Sequence, residues 1–360
     1  MSELDVFVEG GGTSAVASPV TFNSEIFGVS GVRVTLATKT KGAVIHYTTD
    51  GAEPTEESDI YSAPLTFTSD AVVKAIAVKS GMATSGVSVF NVKTGGFIVV
   101  QGKTITGTEA WIPESQVFVS GRFLKIPTLL VCDHEVTRGE YKGVMGIDPS
   151  TAKAYDGNGN ELSGDAVLDN PVDSVSFYDA VVYCNRRSIQ ENLTPCYSID
   201  SSTDPDEWGE VPTDSGGDDR WSAVACNFSA EGYRLPTEAE WEYLARGEEG
   251  YTYAGSNNID EVAWYGDNTN GTRTVKTKKA NAYGLYDMSG NVGEWCWDSY
   301  KEITNMTPEF GPGSGGERLF RGGFWTDSYE EIFQVCDRYF ISPNTDQERC
   351  GFRVVRSCPM

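Results

Sequence analysis

The chain has 360 residues, a formal net charge of −24, two histidines and eight cysteines. That length allows two or three domains with a sizeable core. The acidic balance disfavours nucleic acid as a partner, because affinity for a phosphate backbone rests on clustered Lys and Arg. No apolar run is long enough to suggest a membrane span.

The opening MSELDVFVEGGGTSAVASPV is rich in Gly, Ser and Ala and lacks a charged-then-apolar leader. Residues 1–18 therefore read as a flexible tether. From 19 to 93 the pattern changes to short strands. Val32, Val34 and Leu36 alternate with Arg33, Thr35 and Ala37. Further runs are 44–48, 71–78 and 87–92, punctuated by Asp50-Gly51 and Ser80-Gly81. Alternation with this turn spacing predicts a small antiparallel sandwich. His46 is an ordinary strand residue in it. His46-Tyr47-Thr48-Thr49-Asp50-Gly51, Pro54-Thr55, Tyr61 and Pro64-Leu65 resemble the C-terminal β-sandwich module of chitobiase-type hexosaminidases. In that family the module is an accessory, and catalysis lies elsewhere.

Thr94-Gly95-Gly96 reads as a hinge. Beyond Phe97 the chain turns to long loops with many Trp and Tyr and three capped helices. Thr137-Arg138-Gly139-Glu140 and Thr237-Glu238-Ala239-Glu240 have capping-box form, in which the hydroxyl accepts from the N3 amide and the Glu reaches back. Ser176-Phe177-Tyr178-Asp179 is a variant, with Phe177, Ala180, Val181 and Cys184 on one face. Trp241, Leu244 and Ala245 form the apolar face of the third helix. Glu238, Glu240 and Glu242 stand two apart, a spacing that does not put neighbours on one face. Residues 192–227 carry Pro, Gly and Asp without a period and read as a long surface excursion. No Cys-x-x-Cys pair occurs, and with two histidines this argues against a structural zinc site. The cysteines read as buried free thiols, with one or two disulfides permitted by the even count.

The last stretch, 318–357, has no period of 2 or 3.6. Phe324, Tyr329, Phe333, Tyr339 and Phe340 are scattered among Thr326, Asp327, Ser328, Asp337, Asn344 and Asp346. Two readings fit. One is a ligand-contacting surface, where Tyr gives large contact area at low entropy cost beside small polar residues. The other is an irregular core segment.

Several blocks carry a resemblance. Gly232-Tyr233-Arg234-Leu235-Pro236-Thr237-Glu238-Ala239-Glu240-Trp241-Glu242, the run Asn281 to Trp295 (NAYGLYDMSGNVGEW), Arg321-Gly322-Gly323-Phe324-Trp325 and Gly351-Phe352-Arg353 resemble the signature blocks of the sulfatase-modifying-factor family. Glu135-Val136-Thr137 with Tyr141 matches its early block. The resemblance covers 97–357 and implies an α+β, C-type-lectin-like domain, preceded here by the small all-β, immunoglobulin-like sandwich. The family's oxidase uses two cysteines shortly after the RGGSF block. Those positions fall around Asp327 and Ile332, so the resemblance does not bring the oxidase chemistry with it. Asp287 and Glu294 are then expected to anchor turns or a cation rather than act as acid and base. The Asn291–Glu294 turn resembles the family's calcium loop, which implies Asn291, Val292 and Glu294 as ligands of a structural calcium.

The C-terminal segment is similar to a further branch, the variable proteins of diversity-generating retroelements, of spirochaete type. There the stretch before GFR is rewritten by adenine-directed mutagenesis. If the first two bases of an Asn codon are randomised, Glu, Gln, Lys, Met and Trp cannot arise. Phe324, Thr326, Asp327, Ser328, Tyr329, Asp337, Tyr339, Phe340, Ser342, Asn344, Thr345 and Asp346 lie in the allowed set and are the expected variable, ligand-binding positions. Trp325, Glu330, Glu331, Gln334, Gln347 and Glu348 fall in the fixed set. Trp325, Val335, Phe352 and Arg353 are expected to hold the segment. The resemblance implies a monomeric, non-enzymatic binding protein that needs no cofactor. Its ligand is expected to be a protein or glycan on another cell. The expected location is the cell surface, as an outer-membrane lipoprotein whose signal region and lipid anchor lie outside this sequence. A sulfatase-modifying-factor-type enzyme and a carbohydrate-associated adhesin are the alternatives.

Overall fold

The period-two runs of the first hundred residues pair into two sheets. The computed structural model describes residues 15–27, 31–67, 71–92, 96–213, 219–308 and 316–357. The chain divides into two compact units, residues 1–96 and 97–360. In the first, β1 (Val20–Phe27), β2 (Gly31–Thr38), β3 (Val44–Thr48), β4 (Asp59–Ile60), β5 (Leu65–Phe67), β6 (Ala71–Val78) and β7 (Ser88–Val92) form sheets of order β1-β2-β5 and β4-β3-β6-β7. All pairs are antiparallel. Val34 and Leu36 point inward and Thr35 and Ala37 outward, as successive side chains on a strand must. They close a core with Val20, Ile45, Val73, Ala75, Ala77 and Val92. His46 lies in β3, its Nδ1 2.9 Å from the Ser58 carbonyl. The tether is shorter than its composition suggested. Ala17 is buried and its amide bonds Ala83 O at 2.9 Å, so residues 15–18 belong to the sandwich. Residues 1–14 of the tether and Thr94-Gly95 of the hinge lie outside the described residues.

The second unit is loops pinned by short elements. In chain order these begin with β8 (Phe97–Val100), β9 (Lys103–Ile105), β10 (Leu124–Ile126), β11 (Leu129–Cys132), α1 (Arg138–Met145), β12 (Ala154–Tyr155) and α2 (Phe177–Gln190). Then come β13 (Tyr197–Ser198), α3 (Asp219–Ser222), β14 (Ala225–Cys226), β15 (Tyr233–Arg234), α4 (Glu238–Arg246), α5 (Ile259–Val262) and β16 (Thr272–Arg273). The chain closes with β17 (Gly293–Ser299), β18 (Arg318–Arg321), β19 (Tyr339–Ile341), β20 (Cys350–Gly351) and β21 (Val355–Ser357). Two four-stranded sheets organise the unit, in the orders β15-β21-β11-β8 and β19-β18-β17-β20.

All three capping boxes form: Thr137, Ser176 and Thr237 each accept from the N3 amide while Glu140, Asp179 and Glu240 reach back. The α4 helix stops at Gly247, whose φ of 59° is left-handed. Strand β17 is buried along its whole length. Its alternation serves two cores at once. Trp295 and Trp297 pack with Phe177, Tyr197, Phe320 and Phe352, and Cys296 packs with Trp241, Leu244, Met288 and Val335.

Among the described residues of 192–227, part is core rather than surface excursion. Trp208 and Trp221 are buried and meet edge to face at 5.9 Å, and Cys196, Tyr197 and Ile199 join the same core. The described cysteines, Cys132, Cys184, Cys196, Cys226, Cys296, Cys336 and Cys350, are free thiols. Cys358 lies outside the described residues.

Candidate ligand-binding surface

The C-terminal segment is fastened to the domain mainly through its backbone. The Trp325 amide bonds Asn291 O at 2.9 Å, the Gly266 amide bonds Asp327 O at 2.7 Å and the Val335 amide bonds Thr252 O at 2.9 Å. Further on, the amides of Phe177 and Ser174 bond Pro343 O at 3.0 Å and Gln347 O at 3.2 Å. None of these bonds depends on which side chain the segment carries. The segment enters through Gly322 and Gly323, with φ of 94° and 72°. A Cβ at Gly323 would stand 2.5 Å from the Phe333 ring, so glycine is required there by both conformation and space.

Buried ion pairs reinforce both ends. Arg321 donates to Glu238 Oε1 at 2.8 Å, to Glu242 Oε2 at 3.0 Å and to Val335 O at 2.7 Å. Glu238 and Glu242 are four apart and share a face of α4, a relation the two-residue spacing in the sequence obscured. Arg338 grips both Glu238 oxygens, at 2.6 and 2.8 Å. At the other end Arg353 binds Glu294 through Nε and Nη2, at 2.7 and 2.6 Å. Phe352 is buried edge-on against Tyr141 and Tyr183.

The turn expected to hold calcium is satisfied from within. Asn291 donates from Nδ2 to Glu135 Oε2 at 2.7 Å, and its Oδ1 accepts the Arg273 amide at 2.9 Å. The Val292 amide donates to Glu135 Oε1 at 2.9 Å. Glu294 is neutralised by Arg353 and also accepts from Trp241 Nε1 at 2.7 Å. Asn291, Val292 and Glu294 therefore form a carboxylate-clamped turn, not a calcium site. Burial, with Asp287 and Glu294 nearby, pushes the Glu135 carboxyl well above the carboxylate range, and burial pushes Asp287 up to about 6.

Over this scaffold Thr326, Ser328, Tyr329, Tyr339, Phe340 and Asp346 are exposed, with Tyr329 at 74 %. Asp327, Asp337, Ser342, Asn344 and Thr345 are half-buried. Asp327 also makes its own turn, its Oδ1 accepting the amides of Ser328 and Tyr329 at 2.8 and 3.0 Å. Phe324 is the exception. It is 4 % exposed and packs on Phe320 and Tyr339, so it belongs to the core. Trp325 holds backbone, but from the surface: it is half-buried, and its Nε1 donates to Glu348 O at 2.9 Å. Codon class does not sort the positions by exposure, because Glu330, Glu331, Gln347 and Glu348 are exposed as well.

Two features escaped the sequence. Tyr300 stacks on Phe340 at 3.9 Å and extends the aromatic surface beyond the segment. A cleft of 590 Å³ joins Thr326, Asp346, Glu348 and Arg349 of the segment to Thr151 and Ser174. The Arg349 guanidinium sits 4.7 Å from the Phe324 ring and 6.0 Å from that of Tyr339, linking cleft to aromatics. Both features are made by residues distant in sequence.

The short strands, capped helices and dominant loops are those of a C-type-lectin-like domain. Residues 85–358 match the sulfatase-modifying factor enzyme 1-like domain, and the chain belongs to that family. Residues 28–89 match the chitobiase/beta-hexosaminidase C-terminal domain. The chain is 37% identical over 308 residues to the chaperone protein LppX of Paenibacillus barcinonensis, covering 79% of this chain and 97% of that protein. It is 35% identical over 156 residues to the formylglycine-generating enzyme of Streptomyces coelicolor, covering 37% of this chain and about half (49%) of the enzyme. Among solved structures it is similar to Treponema denticola variable protein 1, with a TM-score of 0.62, 31% identity, and coverage of 76% of this chain and 96% of that one.

Proposed function

We propose that this protein is a non-enzymatic binding protein of the cell surface, displaying a diversified ligand site on a C-type-lectin-like fold. The attachment of the C-terminal segment through its backbone carries the reading, since it leaves Thr326, Ser328, Tyr329, Tyr339, Phe340, Thr345 and Asp346 open to variation. Surface changes cost within about 0.5 kcal/mol, while core changes cost several. Tyr329, Tyr339 and Phe340 supply contact area, and Thr326, Ser328 and Asp346 adapt the hydrogen bonding. The likeness to a variable protein supports the same reading, as does the count from Gly323, by which the resemblance expects the oxidase cysteines around Asp327 and Ile332.

The test is a display library randomised at the seven exposed or half-buried positions just named. Most members are expected to resist protease as the parent does and to yield binders to unrelated proteins. General loss of folding, or folded libraries without binders, overturns the reading. A sulfatase peptide containing the target Cys, incubated with the protein, copper and oxygen, is expected to show no aldehyde by mass spectrometry. Aldehyde at catalytic turnover would establish the oxidase instead.

A further inference from the structure

The entrance to α1 holds a side-chain cluster that the binding surface does not use. Strand β11 ends at Cys132, and the chain turns through Asp133 and His134 toward the helix cap. One donor atom each from Cys132, His134 and Glu140 lies within 4.8 Å of the other two. Both edges of the imidazole are engaged. Nδ1 is 3.7 Å from Cys132 Sγ and 2.5 Å from Asp133 Oδ1. Nε2 is 3.4 Å from Glu140 Oε2. Asp133 is steadied by Lys276, whose Nζ is 2.7 Å from Oδ2. Glu140 is fixed by the Thr137 amide at 2.9 Å. Cys132 is fully buried, but the side chains of Asp133 and His134 keep 11% exposure and that of Glu140 24%, so an ion can reach the cluster.

We propose that Cys132 Sγ, His134 Nδ1 and the Asp133 carboxylate bind a thiophilic divalent ion of the zinc type, with Glu140 orienting the imidazole. Tetrahedral zinc with its usual S and N bond lengths separates the two donors by about 3.6 Å, against the 3.7 Å found here. Glu140 on Nε2 is the carboxylate–histidine arrangement that fixes ring and tautomer in metal sites. The proton between Nδ1 and Asp133 is what the ion displaces. Binding releases that proton and the thiol proton to solvent. Asp133 Oδ1 then backs away from Nδ1 to become a ligand. A thiolate selects against calcium and magnesium. The Cys-x-His spacing matches no zinc signature in the sequence, because the donors lie on one tight turn and the orienting carboxylate on the helix after it.

Titration of the chelator-stripped, full-length chain with Co²⁺ tests the site. One equivalent is expected to bind with intense visible bands and a near-ultraviolet sulfur-to-cobalt band, both displaced by Zn²⁺. Cys132→Ser should abolish the sulfur band. Glu140→Gln, which keeps a capping partner for Thr137, should keep the band and weaken binding roughly 10–100-fold. Cys336→Ser, at a half-exposed thiol elsewhere, should change nothing. Circular dichroism checks that each variant folds. If Cys132→Ser does not fold, X-ray absorption at the zinc edge of the loaded, unaltered chain decides the matter, with one sulfur neighbour expected at about 2.3 Å. Absence of the sulfur band in the unaltered chain, its survival in Cys132→Ser, or its loss in Cys336→Ser overturns the proposal. In each of those cases the cluster is a hydrogen-bonded turn and holds no metal.

Discussion

Glu294 takes Arg353 with both carboxylate oxygens and Trp241 with one, away from solvent. A buried pair of this kind adds little over apolar residues of the same shape, but removing one partner leaves a buried charge unmatched. Glu294→Gln is therefore expected to cost about 3–5 kcal/mol in urea unfolding; a loss below about 1 kcal/mol would mean that Arg353 is satisfied by Cys132 O and Tyr286 O alone. Asp298 makes the opposite case. Burial, then the nearby Glu238 carboxylate, pushes its carboxyl up to about 8. Below the unfolded value both states hold the proton. As pH rises from about 4 to 8 the unfolded chain releases it and the folded chain keeps it, so stability falls across that window and the full penalty stands above it. Asp298→Asn keeps an acceptor for the Glu238 amide, 2.6 Å away. It should flatten the decline between pH 4 and 8 by on the order of a few kcal/mol. Parallel pH–stability curves for the two proteins would rule this out.

Among the elements, α4 separates local signals from distant ones. Its cap at Thr237 and its face of Trp241, Leu244 and Ala245 are legible because they are set by spacing within a few residues. The Arg321–Glu238–Arg338 bridge is not, because its members are 83 and 100 residues apart. The same holds for residues 192–227, where Trp208 and Trp221 reach the core from segments with no period of their own. Strand alternation in the sandwich was legible, yet β1 and the short β4 and β5 were missed, being brief or lacking clean alternation. Thr237→Ala should cost about 1 kcal/mol and Trp241→Ala about 3–5 kcal/mol, since the indole is fully buried and bonds Glu294. A denaturant titration that reverses this order would contradict the packing described for α4.

At the scale of the whole molecule, the question is whether the aromatic surface is needed for folding. Of the positions that the segment's irregular pattern points to, Thr326, Ser328, Tyr329, Tyr339, Phe340 and Asp346 are exposed. The pattern could not show that Phe324 turns inward or that Tyr300 joins the surface, since both depend on neighbours brought in by β18 and β17. The exposed rings make few internal demands. Tyr329 is free of ring partners among the described contacts, and the Tyr300–Phe340 stack contributes about 0.5–1.5 kcal/mol beyond area burial. Replacing Tyr300, Tyr329, Tyr339 and Phe340 together with Ser is therefore expected to cost about 1–2 kcal/mol in all. Phe352→Ala alone should cost about 3–5 kcal/mol, because it opens a cavity beneath Tyr141 and Tyr183. Urea unfolding of the two variants beside the parent makes the comparison direct. If the fourfold surface variant proves less stable than Phe352→Ala, the rings are part of the core, and the scaffold does not hold its C-terminal segment independently of the side chains it carries.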